Sequence, residues 1–394
     1  MKKTVKDIEV KGKKVIVRCD FNVPMKEGKI TDDVRIRAAL PTINYLIENG
    51  AKIIIMSHMG RPKGEANMEY TLAPVAERLG QLIEKDVLFI SSPTVVDEDV
   101  KNAAASLEAG QVMLLENTRF RKEETKNDEI FSKELADLAE IFVNDAFGTA
   151  HRAHCSTAGV ADYLPAVSGF LIEKEVEYLG NAVENPNRPL LAIMGGAKVS
   201  DKIPLIENLL NKVDVLLVGG GMAYTFFKAK GYEIGTSLLD EESIELAAKL
   251  MKDAEEKGVK MLIPVDTVCA SEFSNDAKKT VVDATDIPAD MMGMDIGPKT
   301  VALFAEEIAK ANTIVWNGPM GVFEMSSFED GTKGVAQALA NSDAITIIGG
   351  GDSAAAVEQF KLGDKMSHIS TGGGASMEYL EGKILPGIAV LQDK

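Results

Sequence analysis

Short runs of apolar, largely β-branched residues recur along this chain of 394 residues, and segments with the period of an amphipathic helix separate them. The runs are continuous rather than alternating, which is typical of strands buried on both faces of a parallel sheet. Segments such as "SIELAAKLMKDAEEKG" and "EIFSKELADLAE" provide the helical crossovers that parallel strands need. The predicted strands are "VIVRCDF", "KIIIMSH", "VLFI", "VMLLENTRF" and "IFVNDAF" in the first half, and "LLAIMGG", "DVLLVGGG", "KMLIPVD", "TIVWNGP", "AITIIGGG" and "HISTGGG" in the second.

The alternation of strands and helices occurs twice, and a chain of this length usually forms more than one domain. A helical segment that ends in an Asn/Pro-rich stretch, "FLIEKEVEYLGNAVENPNRP", separates the two series. Its low Gly and Ser content favours a helical hinge over a flexible linker. We therefore predict an α/β protein with two doubly wound, Rossmann-like, three-layer αβα domains that have parallel sheets. The predicted domains are residues 1–170 and 189–379, joined by a hinge helix at 171–188.

Composition narrows the class of protein and its partners. Hydrophobic residues make up 45% and charged residues 26% of the chain, as in ordinary globular proteins. No apolar run is long enough for a membrane span, and the N-terminal "MKKTVKDIEV" lacks the apolar core of a secretory signal. Three widely separated cysteines without a CxxC pattern favour the reducing cytoplasm. The net charge of −17 argues against nucleic acid and anionic membranes as partners.

The first half carries the groups suited to a small polyanion. All nine arginines lie at or before Arg188, and polar clusters follow nearly every predicted strand of this half. Because ligands bind beyond the carboxyl ends of parallel strands, we expect several of these side chains to converge. The clusters contain Asp20 and Asn22, Arg35 and Arg37, His58 and Arg61, Arg119 and Arg121, and His151, Arg152 and His154.

Two other interpretations of these residues are open. Any single arginine could be a solvated surface residue or an ion-pair partner. His151, His154 and Cys155 could ligate a metal, although no second ligand cluster is evident and zinc sites normally use three or four ligands.

The second half carries the groups suited to a nucleotide. Lys198 and Lys202 are four residues apart, which places them on one face of a helix that begins near Ser200. Three glycine triplets follow predicted strands, and bare backbone amides at a helix start can cradle phosphate. Asp352 follows one triplet and is a candidate Mg²⁺ ligand, while Glu324 could bind a ribose hydroxyl.

Known nucleotide motifs fit this half poorly. The chain has no GxxxxGK[ST] sequence, which excludes a Walker-type phosphate loop, and it has no protein-kinase motif set. "GGGDSA" satisfies GxGxxA from Gly349 to Ala354, which raises the alternative of a dinucleotide-dependent dehydrogenase. The acidic residue that should end the next strand in a dinucleotide site is missing, because that strand ends in "STGGG".

The two halves together indicate a reaction class. A polyanion site in one half and a nucleotide site with Mg²⁺ in the other favour phosphoryl transfer.

An ordered set of motifs closely resembles the phosphoglycerate kinase family over nearly the whole chain. The motifs are "RCDFNVP", "ITDDVRIRAALPTI", "SHMGRP", "ENTRF", "NDAFGTAHRAH", "GGAKVSDKI", "WNGPMGVFE", "GGGDS" and "STGGGAS". The resemblance implies reversible transfer of the acyl phosphate of 1,3-bisphosphoglycerate to MgADP, which gives 3-phosphoglycerate and MgATP. It also implies a monomer whose C-terminal residues, about 380–394, return to the first domain.

The resemblance also implies roles for individual residues. Asp20, Asn22 and Arg35 would hold the glycerate carboxyl and hydroxyl groups, next to Phe21, Met59 and Gly60. His58, Arg61, Arg119 and Arg152 would bind the 3-phosphate. Arg35, Lys198, Lys202 and the amides of Gly372, Gly373 and Gly374 would stabilise the migrating phosphoryl group. Asp352 would ligate Mg²⁺, and the nucleotide would lie against Gly196, Ala197, Lys198, Lys202, Gly220, Gly221, Gly293, Asn317, Pro319, Glu324, Gly350, Gly351, Asp352, Ser353 and Thr371.

A third alternative is a non-enzymatic sensor of a phosphorylated metabolite. It would explain the arginine clusters of the first half. It would not explain the lysine pair, the glycine triplets and Asp352 in the second.

Overall fold

Two six-stranded parallel sheets carry the fold. The computed structural model describes all 394 residues and divides into two compact units. Unit 1 contains Met1–Glu177 and Ile384–Lys394, and unit 2 contains Tyr178–Lys383. The helix Phe170–Glu184 therefore contains the boundary between the two units.

In unit 1, the sheet has the order β5-β6-β4-β1-β7-β8, and every neighbouring pair is parallel. A short antiparallel ribbon, β2–β3, accompanies it. The elements are β1 (Lys14–Arg18), β2 (Met25–Lys26), β3 (Lys29–Ile30), α1 (Val34–Glu48), β4 (Lys52–Met56), α2 (Ala73–Ile83), β5 (Val87–Phe89), α3 (Glu98–Ser106), β6 (Val112–Leu114), α4 (Glu129–Ala136), β7 (Ile141–Asn144), β8 (Ala166–Ser168) and α5 (Phe170–Glu184).

Unit 2 has a parallel sheet of order β11-β10-β9-β15-β16-β17 and a separate antiparallel sheet of order β13-β12-β14. Its elements are β9 (Leu190–Met194), α6 (Ile203–Leu209), β10 (Val215–Val218), α7 (Ala223–Ala229), α8 (Ile244–Glu256), β11 (Lys260–Leu262), β12 (Asp266–Ala270), β13 (Lys279–Asp283), β14 (Met292–Ile296), α9 (Pro298–Ile308), β15 (Thr313–Asn317), α10 (Asp330–Ala340), β16 (Ile345–Gly349), α11 (Gly351–Gln359), β17 (His368–Ile369) and α12 (Gly374–Leu380). The last helix, α13 (Pro386–Ala389), belongs to unit 1.

Continuous apolar sequence produces the buried central strands. In β4, Ile53, Ile54 and Ile55 are fully buried, so both faces of the sheet are covered by helices. The C-terminal segment is joined to the start of the chain within unit 1, since the Lys3 amide donates to the Gln392 carbonyl at 2.8 Å. No helix combines the length and the apolar character that crossing a bilayer would require.

The predicted class of two doubly wound parallel α/β domains is confirmed, but three local expectations were wrong or incomplete. The helix after β8 ends at Glu184 rather than at residue 188, because the Asn/Pro-rich stretch stops it earlier. The sequence prediction missed β8, which has only three residues. It also missed the antiparallel sheet, in which β13 alternates between exposed and half-buried positions instead of forming an apolar run.

Candidate functional site

The polar clusters of the first half lie along one edge of the unit 1 sheet. The last residue of β1, Arg18, is in register with Met56 at the end of β4 and with Asn144 at the end of β7. Since these strands are parallel, the loops that follow them leave the sheet on the same side. The loops that carry Asp20, His58 and Arg152 therefore start from adjacent strands.

Asp20, Asn22 and Arg35 form one hydrogen-bonded group. Arg35 Nη1 donates to both carboxylate oxygens of Asp20, at 3.2 Å each, and to the Asn22 carbonyl at 3.0 Å. The Asn22 side-chain oxygen accepts from the Gly60 amide at 2.8 Å, which ties the loop after β1 to the loop after β4. The fixed loops place a carboxylate, an amide and a guanidinium together.

Phe21 and Met59 are buried beneath this group and contribute to the apolar core of unit 1. The Phe21 amide donates to Ser57 Oγ at 2.9 Å, and Asn117 holds the Met59 backbone through both its amide and its carbonyl. These two side chains therefore shape the loops. Both side chains pack in the core. The sequence pattern did not distinguish this packing from contact with a ligand.

A cationic cavity of about 470 Å³ lies beside these loops. It brings together Arg61, Arg119, Arg152 and His154, which three different sequence clusters supply. Three lysines that sequence reasoning missed also line it, because nothing in the sequence separates them from solvated surface lysines. The complete lining is Arg61, Lys63, Gly64, Arg119, Arg121, Lys122, Thr125, Lys126, Arg152 and His154.

The charge in this cavity is unbalanced. Burial, with Arg152 nearby, lowers the pKa of Arg119 to about 10, and burial beside the arginines lowers the pKa of His154 to about 4. Arg119 Nη1 donates to the Gly60 carbonyl at 2.7 Å, but its buried Nε has no hydrogen-bond partner in the protein, and neither has His154 Nδ1. Buried polar groups without partners are uncommon, and here they surround a positive cavity, so an anion is the ligand that fits.

Two further arginines of the same sequence clusters, besides Arg35, already have carboxylate partners. Arg37 is bound to Asp33 at 2.8 Å. Arg121 is bound to Glu123 and Glu134 and lies over the ring of Phe131, so its contribution to the cavity is partly neutralised.

The geometry does not support a metal site at His151, His154 and Cys155. The Cys155 thiol is buried and donates to the carbonyls of Glu123 and Asp128 at 3.3 Å each. Burial raises its pKa to about 11, which opposes the thiolate that a metal would need. No group of three or more His, Cys, Asp or Glu side chains with metal-binding geometry occurs in the structure.

In unit 2, the loops after β9, β15 and β16 meet around Lys202. Its Nζ donates to the Asn317 side-chain oxygen and lies 3.7 Å from Met377 Sδ. Burial lowers the pKa of Lys202, while Asp352 acts in the opposite direction. The Asn317 amide nitrogen is buried without a partner, so an amine and an amide donor are both held at this edge of the sheet.

The expectation that Lys198 and Lys202 share one helical face was wrong. Lys202 is the residue that precedes α6, at the end of a short 3-10 turn from Ser200 to Lys202. Lys198 lies before that turn and is exposed. The proline after Ile203 favours a helix start at this point, which shortens the helix that the spacing rule assumed.

Several glycines of the triplets occupy crowded or left-handed backbone positions. Gly220 has φ +68, and a Cβ there would lie 2.6 Å from the Gly196 nitrogen and 2.8 Å from the Pro319 carbonyl oxygen. Gly350 has φ +89 and precedes α11, whose first turn contains exposed Asp352. The triplet that ends at Gly221 therefore lets three loops approach one another through their backbones.

The remaining nucleotide-side residues lie in several environments. Ser353 is buried and accepts from the Gly318 amide at 2.6 Å, which is a structural bond between two loops. Gly293 lies in β14 of the antiparallel sheet that the sequence did not predict, and a Cβ there would overlap the Tyr224 ring. Glu324 is exposed after β15, Thr371 follows β17, and Gly372, Gly373 and Gly374 lead into α12.

Comparison with known proteins matches this arrangement over the whole chain. The sequence profile of "Phosphoglycerate kinase" matches residues 5–383. A phosphoglycerate kinase of Clostridium botulinum is 63% identical over 393 residues, covering 100% of this chain and 99% of the relative. One of Clostridium perfringens is 62% identical over 394 residues, with the same coverage.

Solved structures agree with the sequence matches. The structure of phosphoglycerate kinase from Coxiella burnetii superposes with a TM-score of 0.92 at 48% identity, over 99% of this chain and 98% of that one. The enzyme from Pyrococcus horikoshii superposes with a TM-score of 0.81 at 35% identity, over the same shares of the two chains. The dehydrogenase interpretation of Gly349–Ala354 gains no support from these matches. The fold, the matched motifs and the relatives together show that the chain belongs to the phosphoglycerate kinase family, and it is therefore a kinase that exchanges a phosphoryl group between 1,3-bisphosphoglycerate and ADP in glycolysis.

Proposed function

We propose that the phosphoryl group passes directly and in line between 3-phosphoglycerate bound by unit 1 and MgADP bound by unit 2. The distribution of charge supports this division, since the arginine-lined cavity belongs to unit 1 and the lysine and glycine loops belong to unit 2. Phosphoryl transfer requires positioning and neutralisation of charge more than covalent participation by the protein.

On the unit 1 side, Arg61, Arg119 and Arg152 bind the 3-phosphate, together with His58. The unpartnered Nε of Arg119 and the exposed side chain of Arg61 are the donors with the most free capacity. Guanidinium groups suit a dianionic phosphate because they offer two parallel donors each.

The glycerate end of the substrate would lie by Asp20, Asn22 and Arg35. Asp20 accepts a hydrogen bond from a substrate hydroxyl, and Arg35 faces the substrate carboxylate. The hydrogen bonds of Arg35 to Asp20 and Asn22 support this placement, because they hold the guanidinium before substrate arrives.

On the unit 2 side, Lys202, Lys198 and the amides of Gly372–Gly374 neutralise the migrating phosphoryl group. The adenosine lies against Gly196, Ala197, Gly220, Gly221, Gly293 and Pro319, and Glu324 binds the ribose. The buried, unpartnered amide of Asn317 supports a ligand at this place.

Mg²⁺ would be held by Asp352 and chiefly by the nucleotide phosphates. A single exposed carboxylate in the first turn of α11 fits an ion that arrives with the nucleotide, because the protein offers no cluster of ligands for a resident metal. When bound, the ion neutralises phosphate charge. No general base is required, since the attacking carboxylate is already ionised at neutral pH.

Closure of the two units about α5 would bring the reacting atoms together. The division between the units falls between Glu177 and Tyr178, inside this helix, so residues of one helix belong to both units. The reaction needs its atoms roughly 3–3.5 Å apart. Solution scattering with both ligands bound should show compaction relative to the free protein. We also expect the protein to be a monomer in the cytoplasm. Sedimentation of the purified protein tests whether it is a monomer.

The partly unpaired cationic cavity is the observation that carries this proposal. The experiment is isothermal calorimetry with each ligand on two variants. Arg152→Ala should weaken 3-phosphoglycerate binding at least about tenfold and leave MgADP binding unchanged. Asp352→Asn should weaken MgADP binding and leave 3-phosphoglycerate binding unchanged. The assignment is contradicted if either variant binds both ligands more weakly, or if either variant binds both ligands as tightly as the parent protein.

A further inference from the structure

Behind the cationic cavity lies a continuous buried hydrogen-bond chain that the proposed substrate contacts do not include. Arg18, the last residue of β1, is fully buried, and so are Ser156 and Glu124. Arg18 Nε donates to Ser156 Oγ at 2.8 Å, and Ser156 Oγ donates to Glu124 Oε1. On its other side, Arg18 Nη2 lies 3.1 Å from His58 Nδ1.

The direction of every bond in this chain is fixed by chemistry. A guanidinium has donors only, so His58 Nδ1 must be the acceptor and the ring proton must lie on Nε2. Likewise the Ser156 hydroxyl accepts from Arg18 and can pass its own proton only to the Glu124 carboxylate. Donation therefore runs from Arg18 towards His58 at one end and through Ser156 towards Glu124 at the other.

The carboxylate at the end of the chain is itself well held. Glu124 also accepts from the Ser156 amide at 3.1 Å and from Thr118 Oγ1 at 3.2 Å. It supplies the largest electrostatic compensation for the buried Arg18, whose guanidinium would be strongly disfavoured there in isolation. Breaking the link at Ser156 leaves both charges buried but no longer joined.

We propose that Arg18, Ser156 and Glu124 are positioning residues that fix His58 as a neutral Nε2–H donor for 3-phosphoglycerate. The part of this proposal that concerns substrate rests on the proposed role of His58 in binding. Protonation at Nδ1 would set two donors against each other at 3.1 Å, so the chain keeps the ring neutral as well as oriented. The charged groups that act on His58 are Arg18, Arg35, Arg119 and Arg152, and all of them oppose a positive charge on the ring.

For substrate binding, the consequence is that His58 stays a neutral Nε2–H donor across the working pH range. Because the ring is only 3% exposed, its orientation depends on its partners rather than on solvent. Arg18 Nη1 also donates to the Cys19 carbonyl, so without the link to Glu124 the guanidinium is anchored only by that bond and can turn about it, away from His58 Nδ1. The imidazole then populates the other tautomer, which presents a lone pair to the anionic ligand.

The first test is a measurement on the ligand-free full chain. Long-range proton–nitrogen NMR spectra of protein labelled with ¹⁵N-histidine distinguish the two ring nitrogens, and the chain has only 4 histidines to assign. His58→Gln identifies the resonances of His58. The parent protein should show a protonated Nε2 and an unprotonated Nδ1 on this ring, and Ser156→Ala should show a mixture of tautomers.

Thr118→Val is the matched control. It removes another hydrogen bond to the same Glu124 oxygen, at a site that is equally buried, but it leaves the bond between Arg18 and Ser156 in place. The tautomer of His58 should stay as in the parent protein. An unchanged tautomer in Ser156→Ala, or the same change in Thr118→Val, would overturn the proposal.

The second test is steady-state kinetics on the same variants. Ser156→Ala should raise KM for 3-phosphoglycerate about tenfold, change kcat less than about threefold and leave KM for MgATP unaltered. The KM increase should shrink below about pH 6.5, because a released imidazole that becomes protonated regains a proton on Nε2 and can again donate to the anion. A changed tautomer with an unchanged KM would show that His58 does not bind substrate, which overturns the binding role and locates the failure in the proposed function rather than in the hydrogen-bond chain.

Discussion

Arg35 Nη1 makes three hydrogen bonds, two to Asp20 at 3.2 Å and one to the Asn22 carbonyl at 3.0 Å, while its side chain remains 40% exposed. One nitrogen of the guanidinium thus anchors the group to the loop after β1. The other nitrogens stay available to a ligand. This arrangement is what a residue needs if it is to stabilise a charge that develops during reaction, since it requires no reorganisation at that moment.

Arg35→Ala should therefore reduce kcat by on the order of 10²-fold or more, with a smaller effect on KM. The matched control is Arg37→Ala, two residues further along the same helix, where the guanidinium is bound to Asp33 instead. Its kinetic constants should stay close to those of the parent enzyme. A change confined to KM in Arg35→Ala would contradict the role assigned to this residue.

Lys202→Ala should have a similar effect on kcat, because it removes the half-buried ammonium group held by Asn317. Lys252→Ala is a suitable control in the same unit, since that lysine is 74% exposed and makes only a surface ion pair with Glu256. Steady-state assays with both substrates at saturation give the comparison. Equal activity in the two variants would remove Lys202 from the reaction.

Asp352→Asn should raise the Mg²⁺ concentration needed for half-maximal activity by roughly tenfold, because one charged ligand of the ion is lost. The control is Asp364→Asn, which changes an exposed carboxylate in the short 3-10 turn Gly363–Lys365 after α11. It should leave the Mg²⁺ dependence unchanged. Titration of activity with Mg²⁺ at fixed ATP measures both. If the two variants behave alike, Asp352 is not a ligand of the ion.

Gly220→Ala should destabilise unit 2 by about 1–3 kcal/mol and weaken MgADP binding, because the new methyl would meet backbone atoms of Gly196 and Pro319. Gly231→Ala separates the two causes. Gly231 has a similar φ of +83, but nothing lies within 4 Å of an added Cβ. It should show only the conformational cost, of about 1 kcal/mol, with normal nucleotide affinity. Urea unfolding and calorimetry give the two quantities.

Asp145→Asn should alter how stability depends on pH. Asp145 follows β7 and is fully buried, its Oδ1 accepts from the Leu171 amide in the first turn of α5 at 2.9 Å, and burial raises its pKa to about 7. The folded state therefore binds this proton more tightly than the unfolded state, whose pKa is near 3.8. The free energy of unfolding contributed by this group falls as pH rises from about 4 to 7, by up to about 1.4 kcal/mol per pH unit.

The Asp145→Asn variant removes that contribution, so its stability relative to the parent should increase between pH 5 and 7.5. Asp137→Asn, at an exposed site 61% accessible at the end of α4, should show no such trend. Urea midpoints at several pH values test this. A parallel pH dependence in the parent and Asp145→Asn would show that Asp145 is ionised throughout.

The sequence predicted the parallel sheets well because their strands are unbroken apolar runs, and it placed the polar clusters at the ends of those strands. It did not predict β12–β14, since Asp266 and Thr267 are buried polar residues and β13 alternates in exposure. The rule of helical spacing also failed for Lys198 and Lys202, because the chain between them is a loop and a 3-10 turn.

The buried partners of the site were harder to predict. Arg18 follows three apolar residues in β1 and has the pattern of a polar residue at a strand end, whereas it is fully buried. Its partner Glu124 lies 106 positions along the chain in a charged segment that looks exposed. Only the tertiary fold shows that these two charges share one interior, so sequence spacing carries no signal for them.

The most direct test of the central claim is a coupled assay of the purified protein with 3-phosphoglycerate, ATP and Mg²⁺, in which formation of 1,3-bisphosphoglycerate is followed through its reduction. The account predicts turnover that needs all three components and that falls by on the order of 10²-fold in both Arg35→Ala and Lys202→Ala, one variant in each unit. Absence of turnover in well-folded protein, or full activity in either variant, would contradict it.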